Sequence, residues 1–172
     1  MHPLQVDVRP LRPGDIPALR ALFHRWSDQS RYERFFCMSP RIADDYVDAL
    51  LDPGRTLFAV VAVSPAGKVV GVGSTHRESA DTGEFGLAVD DEEQGHGVGT
   101  RLLAALLGNA ARMQLTTLVA YVEAVNHHML EVVTDELPGA ARELRDGIVM
   151  VTVPVQDAIR RSDTHLREQV PS

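Results

Sequence analysis

The sequence predicts one α/β domain built on a mixed sheet, in which an antiparallel meander leads into a parallel strand pair. Three observations predict it. Between Leu57 and Val89, β-branched and alternating segments are divided by short turn signals. From Val98 to Met113 the apolar spacing changes to a helical period of about 3.6 residues. A strand-like run, Thr116 to Val122, follows that helix. A strand, a helix and a strand in that order imply a parallel pair joined by a right-handed crossover.

Each element has its own signal. Val6-Asp7-Val8-Arg9 alternates as a first strand, ended by Pro10 and Pro13-Gly14. Asp15 stands where an N-cap belongs, before a helix to Trp26 with Ile16, Leu19, Leu22, Phe23 and Trp26 at helical spacing. Residues 27–34 are polar. Ser39 as N-cap and Pro40 at the first position open a second helix to Leu51, stopped by Asp52-Pro53-Gly54. Leu57 to Val63 and Lys68 to Thr75 read as a hairpin around Ser64-Pro65-Ala66-Gly67, and Asp81-Thr82-Gly83 turns the chain into a strand from Glu84 to Val89. The long helix carries Val98, Leu102, Ala105, Leu106, Ala110 and Met113 on one stripe, widened by Leu103 and Leu107. Asn126 to Glu136 is a short helix broken by Pro138-Gly139. Ala140 to Leu144 and Ile148 to Val153 close the domain as a hairpin around Asp146-Gly147.

With 172 residues the chain fits one domain, assigned to residues 6–153. Residues 154–172 are polar and read as a C-terminal extension. A net charge of -7 argues against a broad electrostatic grip on nucleic acid. No apolar run is long enough to span a bilayer, and the start lacks the charged and apolar regions of a signal peptide. Cys37 is the only cysteine, which excludes an intrachain disulfide and points to the cytoplasm. After Phe35-Phe36 it reads as a small core residue rather than a nucleophile.

The chemistry is concentrated in Gln94-Gly95-His96-Gly97-Val98-Gly99-Thr100, between a strand and the long helix. Unpaired N–H groups at a helix N-terminus form a ready phosphate site. Three glycines within five residues let backbone approach an anion closely. A nucleoside-triphosphate loop would need a lysine after Gly99, and none follows. A dinucleotide fold would place a differently spaced glycine motif after the first strand of a βαβ unit, whereas here it follows a meander. A ligand-free turn would be a costly use of three glycines at the head of a helix.

This loop resembles the Q/R-x-x-G-x-G/A motif of GNAT acetyltransferases, carried by Gln94, Gly97 and Gly99, and the element order over about residues 6–153 is similar to the GNAT fold. Arg9-Pro10-Leu11-Arg12-Pro13-Gly14-Asp15, Ser30-Arg31-Tyr32-Glu33-Arg34-Phe35-Phe36 and Asn126-His127-His128-Met129-Leu130 resemble the catalytic domain of bacterial Pat-type protein lysine acetyltransferases. The resemblance implies an acetyl-CoA-dependent enzyme, with acetyl-CoA as cosubstrate and no metal. Backbone N–H groups of Gln94, Gly95, His96, Gly97, Val98, Gly99 and Thr100 are then expected to hold the pyrophosphate. Leu87, Ala88 and Val89 would pair with the pantetheine arm, in a gap between their strand and Thr116 to Val122. Asn126 matches an asparagine used near the cofactor, and suits a helix cap equally.

Glu84 is the expected general base, from a glutamate similarly placed in Pat-type enzymes. A lysine amine has a pKa near about 10.4 and must lose a proton before it attacks a thioester. Glu84, Gly86 and Ala88 share one strand face, and the small residues would leave room for an acceptor side chain. The acidic run Asp90 to Glu93 reads as a solvated turn. His127-His128 lacks the helical spacing of a metal pair. One position departs from the family: Val133 stands seven residues after Asn126, where many relatives carry a tyrosine as general acid.

The resemblance points to a primary amine acceptor, a protein lysine. A small-molecule amine, or a silent acetyl-CoA-binding module, are the alternatives. Nothing in the sequence sets the oligomeric state; a homodimer is one option.

Overall fold

The computed structural model describes residues 5–35 and 40–160. In chain order it runs β1 (Asp7–Pro10), α1 (Ile16–Arg25), α2 (Asp28–Phe35), α3 (Pro40–Ala49), β2 (Thr56–Val63), β3 (Val69–Arg77), β4 (Thr82–Val89), α4 (Val98–Arg112), β5 (Thr117–Glu123), α5 (His127–Glu136), β6 (Ala141–Arg145) and β7 (Ile148–Pro154). The strands form one sheet in the order β1-β2-β3-β4-β5-β7-β6. Every neighbouring pair is antiparallel except β4 and β5, which run parallel around α4. The expected meander, crossover and closing hairpin are all present. The hairpin turn uses positive φ at Asp146 (49°) and Gly147 (80°), the mirror-image geometry that matches strand twist.

Helices cover both sheet faces. On one, α4 buries Leu102, Leu103, Leu106, Leu107 and Ala110 against Val70, Phe85, Leu118 and Val151, with Val133 of α5 beside them. Each fully buried leucine contributes about 1.5–3 kcal/mol, enough to hold a helix that contains two interior glycines. On the other face, Leu19, Leu22 and Phe23 of α1 and Val47 of α3 pack on Val61, Val72 and Ala88.

Several expectations change on contact with the structure. Residues 27–34, read only as a polar stretch, supply all of α2 (Asp28–Phe35) but its last residue. Ser27 caps it: its Oγ accepts from Ser30 N at 3.1 Å. Asp15 does not cap α1 with its side chain. Its carboxylate instead takes both guanidinium nitrogens of Arg9 at 2.8 Å and the Arg12 amide at 2.8 Å. Met113, placed on the α4 stripe, lies past its last turn and is 43% exposed. Asp90 is no part of a solvated turn. It is 3% exposed and paired with Arg25 (2.9 Å) and Lys68 (3.0 Å), joining α1, the β2–β3 hairpin and the start of the glycine loop. Burial raises its pKa, and the hydrogen bonds and charges of those two cations outweigh that and lower it. Cys37 and the Ser39 cap fall outside the described residues.

Candidate active site

Strand β4 keeps its ladder to β3 from Gly83 to Val89. Its pairing with β5 stops early: only Thr82, Gly83 and Glu84 have partners there, Glu84 opposite Val119. Beyond that point the two strands part. The β5-facing edge of β4 from Phe85 to Val89 therefore has no strand partner, and backbone groups left open in this way seek another donor or acceptor.

At the top of the opening lies the glycine loop. Gly95 and Gly97 have φ of 76° and 81°, a left-handed backbone that glycine adopts without strain. A Cβ on either would meet nothing within 4 Å, so dihedral geometry alone selects glycine at both. Gly97 is the N-cap of α4, and no side chain caps this helix end. Its first N–H groups thus face outward with the partial positive charge of the helix terminus.

Loop and opening share one cavity of about 400 Å³. On its wall are Glu84, Leu87, Ala88, Val89, Gln94, Gly95, Gly97, Val98, Gly99, Thr100 and Asn126, so the structure brings together every expected site residue but one. His96 does not line the cavity, and its Nδ1 is buried without a hydrogen-bond partner. Asn126 takes the capping role: its side-chain oxygen accepts from Met129 N at 3.0 Å, at the head of α5. Val133 is fully buried in the core and is absent from the wall.

The face of β4 that carries Glu84 and Gly86 is more crowded than the sequence implies. The room expected beside Glu84 is occupied by Arg34 of α2. A Cβ on Gly86 would lie 2.5 Å from Arg34 Nη2 and 2.8 Å from its Cζ. The same guanidinium stands over the Tyr46 ring, 4.7 Å from its centroid. Behind it runs a polar chain across β3. Tyr46 Oη lies 2.8 Å from Ser74 Oγ, which lies 3.0 Å from His76 Nε2. His76 Nδ1 lies 3.1 Å from the Arg55 carbonyl, so Nδ1 carries the proton and donates. Nε2 then accepts from Ser74, and Ser74 accepts from Tyr46. Burial lowers the His76 pKa, and the nearby Arg34 charge lowers it further.

Trp26, Ser30, Glu33, Arg34 and Tyr121 also line the cavity and were given no site role from the sequence, although Ser30, Glu33 and Arg34 lie in a motif quoted for the Pat-type resemblance. They come from α1, α2 and β5, which reach the site only through tertiary packing. Tyr121, 41% exposed, donates to Glu78 Oε1 at 3.3 Å. Glu78 follows β3 while Tyr121 is on β5, so this bond arches over β4 beside Glu84. Among the described residues no three His, Cys, Asp or Glu side chains gather as a metal-holding group.

An uncapped helix end and an open strand edge in one cavity suit a long ligand, with a diphosphate at one end and amide groups along its length.

Residues 5–135 match the acetyltransferase (GNAT) domain family model. The fold is similar to the GNAT domain of S. lividans PAT, at 25% identity with a TM-score of 0.76, over 87% of this chain and 90% of that one. It is also similar to spermidine N-acetyltransferase from Vibrio cholerae, solved with CoA and spermine (14% identity, TM-score 0.69, 90% and 98% covered). A third likeness is to yncA from Salmonella typhimurium, solved with its cofactor acetyl-CoA (18% identity, TM-score 0.68, 87% and 94% covered). A family match over most of the chain, on a sheet that opens beneath a bare helix end, establishes that the chain belongs to the GNAT acetyltransferase family.

Proposed function

We propose that the protein transfers an acetyl group from acetyl-CoA to the primary amine of a protein lysine, with Glu84 as general base. The observation that carries this reading is the position of Glu84. It is the last β4 residue paired with β5, at the apex of the opening and on the wall shared with the glycine loop. Amide groups from Gln94 to Thr100 would hold the pyrophosphate, with Leu87, Ala88 and Val89 offering their open edge to the pantetheine amides. Asn126, spent as a cap through its oxygen, keeps its amide nitrogen for the ligand.

When bound, the thioester supplies an activated acetyl carbon. Glu84 takes the ammonium proton, directly or through a water, and so presents a neutral amine to that carbon. Carboxylates on the wall suit a cationic acceptor: Glu33, Glu93, Glu131, Asp135 and Glu136 join Glu84 there. The resemblance of the Ser30–Phe36 and Asn126–Leu130 motifs to Pat-type enzymes supports a protein lysine. The acidic wall also supports a second reading, a small polyamine, as the likeness to a spermidine N-acetyltransferase would suggest.

Turnover of acetyl-CoA with lysine-bearing proteins and a polyamine panel separates the two acceptors. Glu84→Gln should bind acetyl-CoA with unchanged affinity by calorimetry while turnover falls about 10²–10⁴-fold. Turnover equal to the parent protein would remove Glu84 as the base.

A further inference from the structure

Transfer of an acetyl group to an amine moves negative charge onto sulfur. The amine lone pair forms the C–N bond and the C–S bond breaks with its electron pair leaving on sulfur. Nitrogen loses two protons in all: Glu84 passes the first, from the ammonium, to solvent before attack, and takes the second as the amide forms. The thiolate needs a counter-charge or a proton donor. The hydroxyl that relatives are expected to use has no counterpart, since Val133 is apolar and sealed in the core.

Two other groups near the opening are poor substitutes. Tyr121 already gives its proton to Glu78, and burial together with the Glu78 and Glu84 charges raises its pKa. A phenol held in that way releases a proton reluctantly. Asn126 is a weak donor whose orientation is set by its capping bond.

We infer that Arg34 supplies the missing charge: its guanidinium, laid on the bare backbone of Gly86 just past the last β4–β5 pair, stabilises the departing thiolate. This inference rests on the acetyl-CoA reading above and deepens it. Among the described residues on the cavity wall, Arg34 is the only arginine or lysine, and Glu33, Glu84, Glu93, Glu131, Asp135 and Glu136 carry the opposite charge. It is also held in place. Gly86 admits it where any Cβ would collide, and the Tyr46 ring supports it from behind. Tyr46 is fixed in turn by Ser74, which is fully buried. A charge positioned before the reaction needs no reorganisation when sulfur becomes anionic. The step draws only on the guanidinium charge of Arg34 and takes no proton from it.

A thiol next to a fixed cation ionises more readily. The test therefore compares binding of CoA and desulfo-CoA to the whole protein by calorimetry across pH. The parent protein should gain affinity for CoA over desulfo-CoA as pH rises through the thiol range, with thiolate absorbance appearing in the complex. Arg34→Gln should lose that gain, and its kcat should fall about 10²-fold with the amine KM within about threefold. Arg34→Lys, which keeps the charge, should recover part of both. Identical pH dependence for the two ligands in the parent protein overturns the inference without any variant, so misfolding of Arg34→Gln cannot shelter it. A raised acceptor KM with kcat intact in Arg34→Gln also overturns it, and would make Arg34 an acceptor-binding residue. Failure of the parent protein to bind CoA or desulfo-CoA at all overturns the acetyl-CoA reading along with it.

Discussion

His76 shows how a single side chain couples the site to stability. Its two ring nitrogens are committed, one to the Arg55 carbonyl and one to Ser74, in a network that fits the neutral ring. Arg34 opposes protonation and Glu84, its cross-strand neighbour, favours it, while burial decides the sign and lowers the pKa. The unfolded chain binds a proton at the ordinary value of 6.5 and the folded one only below that. Stability is thus full above pH 6.5 and declines as pH falls through the folded value. Asp15 and Asp90 also have lowered pKa values, so their contribution is full above the ordinary 3.8 and is lost below it. Acid denaturation should therefore begin with a shallow loss below about pH 6.5 and steepen below about pH 4. Chemical denaturation of His76→Gln across pH checks this: the shallow upper phase should vanish and the lower one remain. An upper phase unchanged in His76→Gln would assign it to other groups. None of these partners was visible in the sequence. Asp90 reads as one of four adjacent acids until the fold brings Arg25 and Lys68 to it, and Arg34 reads as part of a polar stretch until α2 lays it on Gly86 of β4.

Among the elements, those with a strong apolar period were legible and the one without it was not. The α4 stripe and the β2, β3 and β4 runs are long enough for packing to follow pattern. In α2 the residues Asp28-Gln29-Ser30-Arg31-Tyr32-Glu33-Arg34-Phe35 offer no apolar stripe. The cap that the structure shows at Ser27 is a bond that marks a turn as readily as a helix. What holds α2 is tertiary. Asp91, beside the glycine loop, accepts from Ser27 N at 3.1 Å and from Ser30 Oγ at 2.7 Å. This acid ties the helix that carries Arg34 to the loop at the head of α4. Asp91→Ala should cost about 1 kcal/mol locally, so amide exchange across residues 28–35 should accelerate roughly fivefold while β3 keeps its protection. Equal exchange in α2 and β3 would mean that the helix is held elsewhere.

At the scale of the whole molecule, the sheet must be closed beyond β5, on the side away from the β4–β5 opening. That role falls to β7, whose Val149, Val151 and Val153 pack into the α4-side core, while Arg142, Glu143 and Arg145 of β6 stay at the exposed edge. Apolar content alone separates the two strands, so this order was readable in principle from the sequence. The end of the core was harder to read, because residues 154–172 are polar on average. Val155 nonetheless is fully buried in the α4-side core, and its amide donates to Thr116 O at 3.0 Å, extending the sheet bonding past β7. Residues 155–160 are helical, and Ala158 and Ile159 pack on the same cluster. Val155 thus locks β7 against the start of β5, at the paired end of the β4–β5 opening rather than at its mouth. Val155→Ala removes two buried methyl groups and should cost about 2 kcal/mol, a fall in Tm of roughly 4–8 °C. Because the loop and the open edge of β4 are untouched, acetyl-CoA affinity below the transition should stay within about twofold. A Tm unchanged in calorimetry would show that the core ends before residue 155. A large loss of affinity in a folded variant would show instead that closure of the sheet sets the width of the opening.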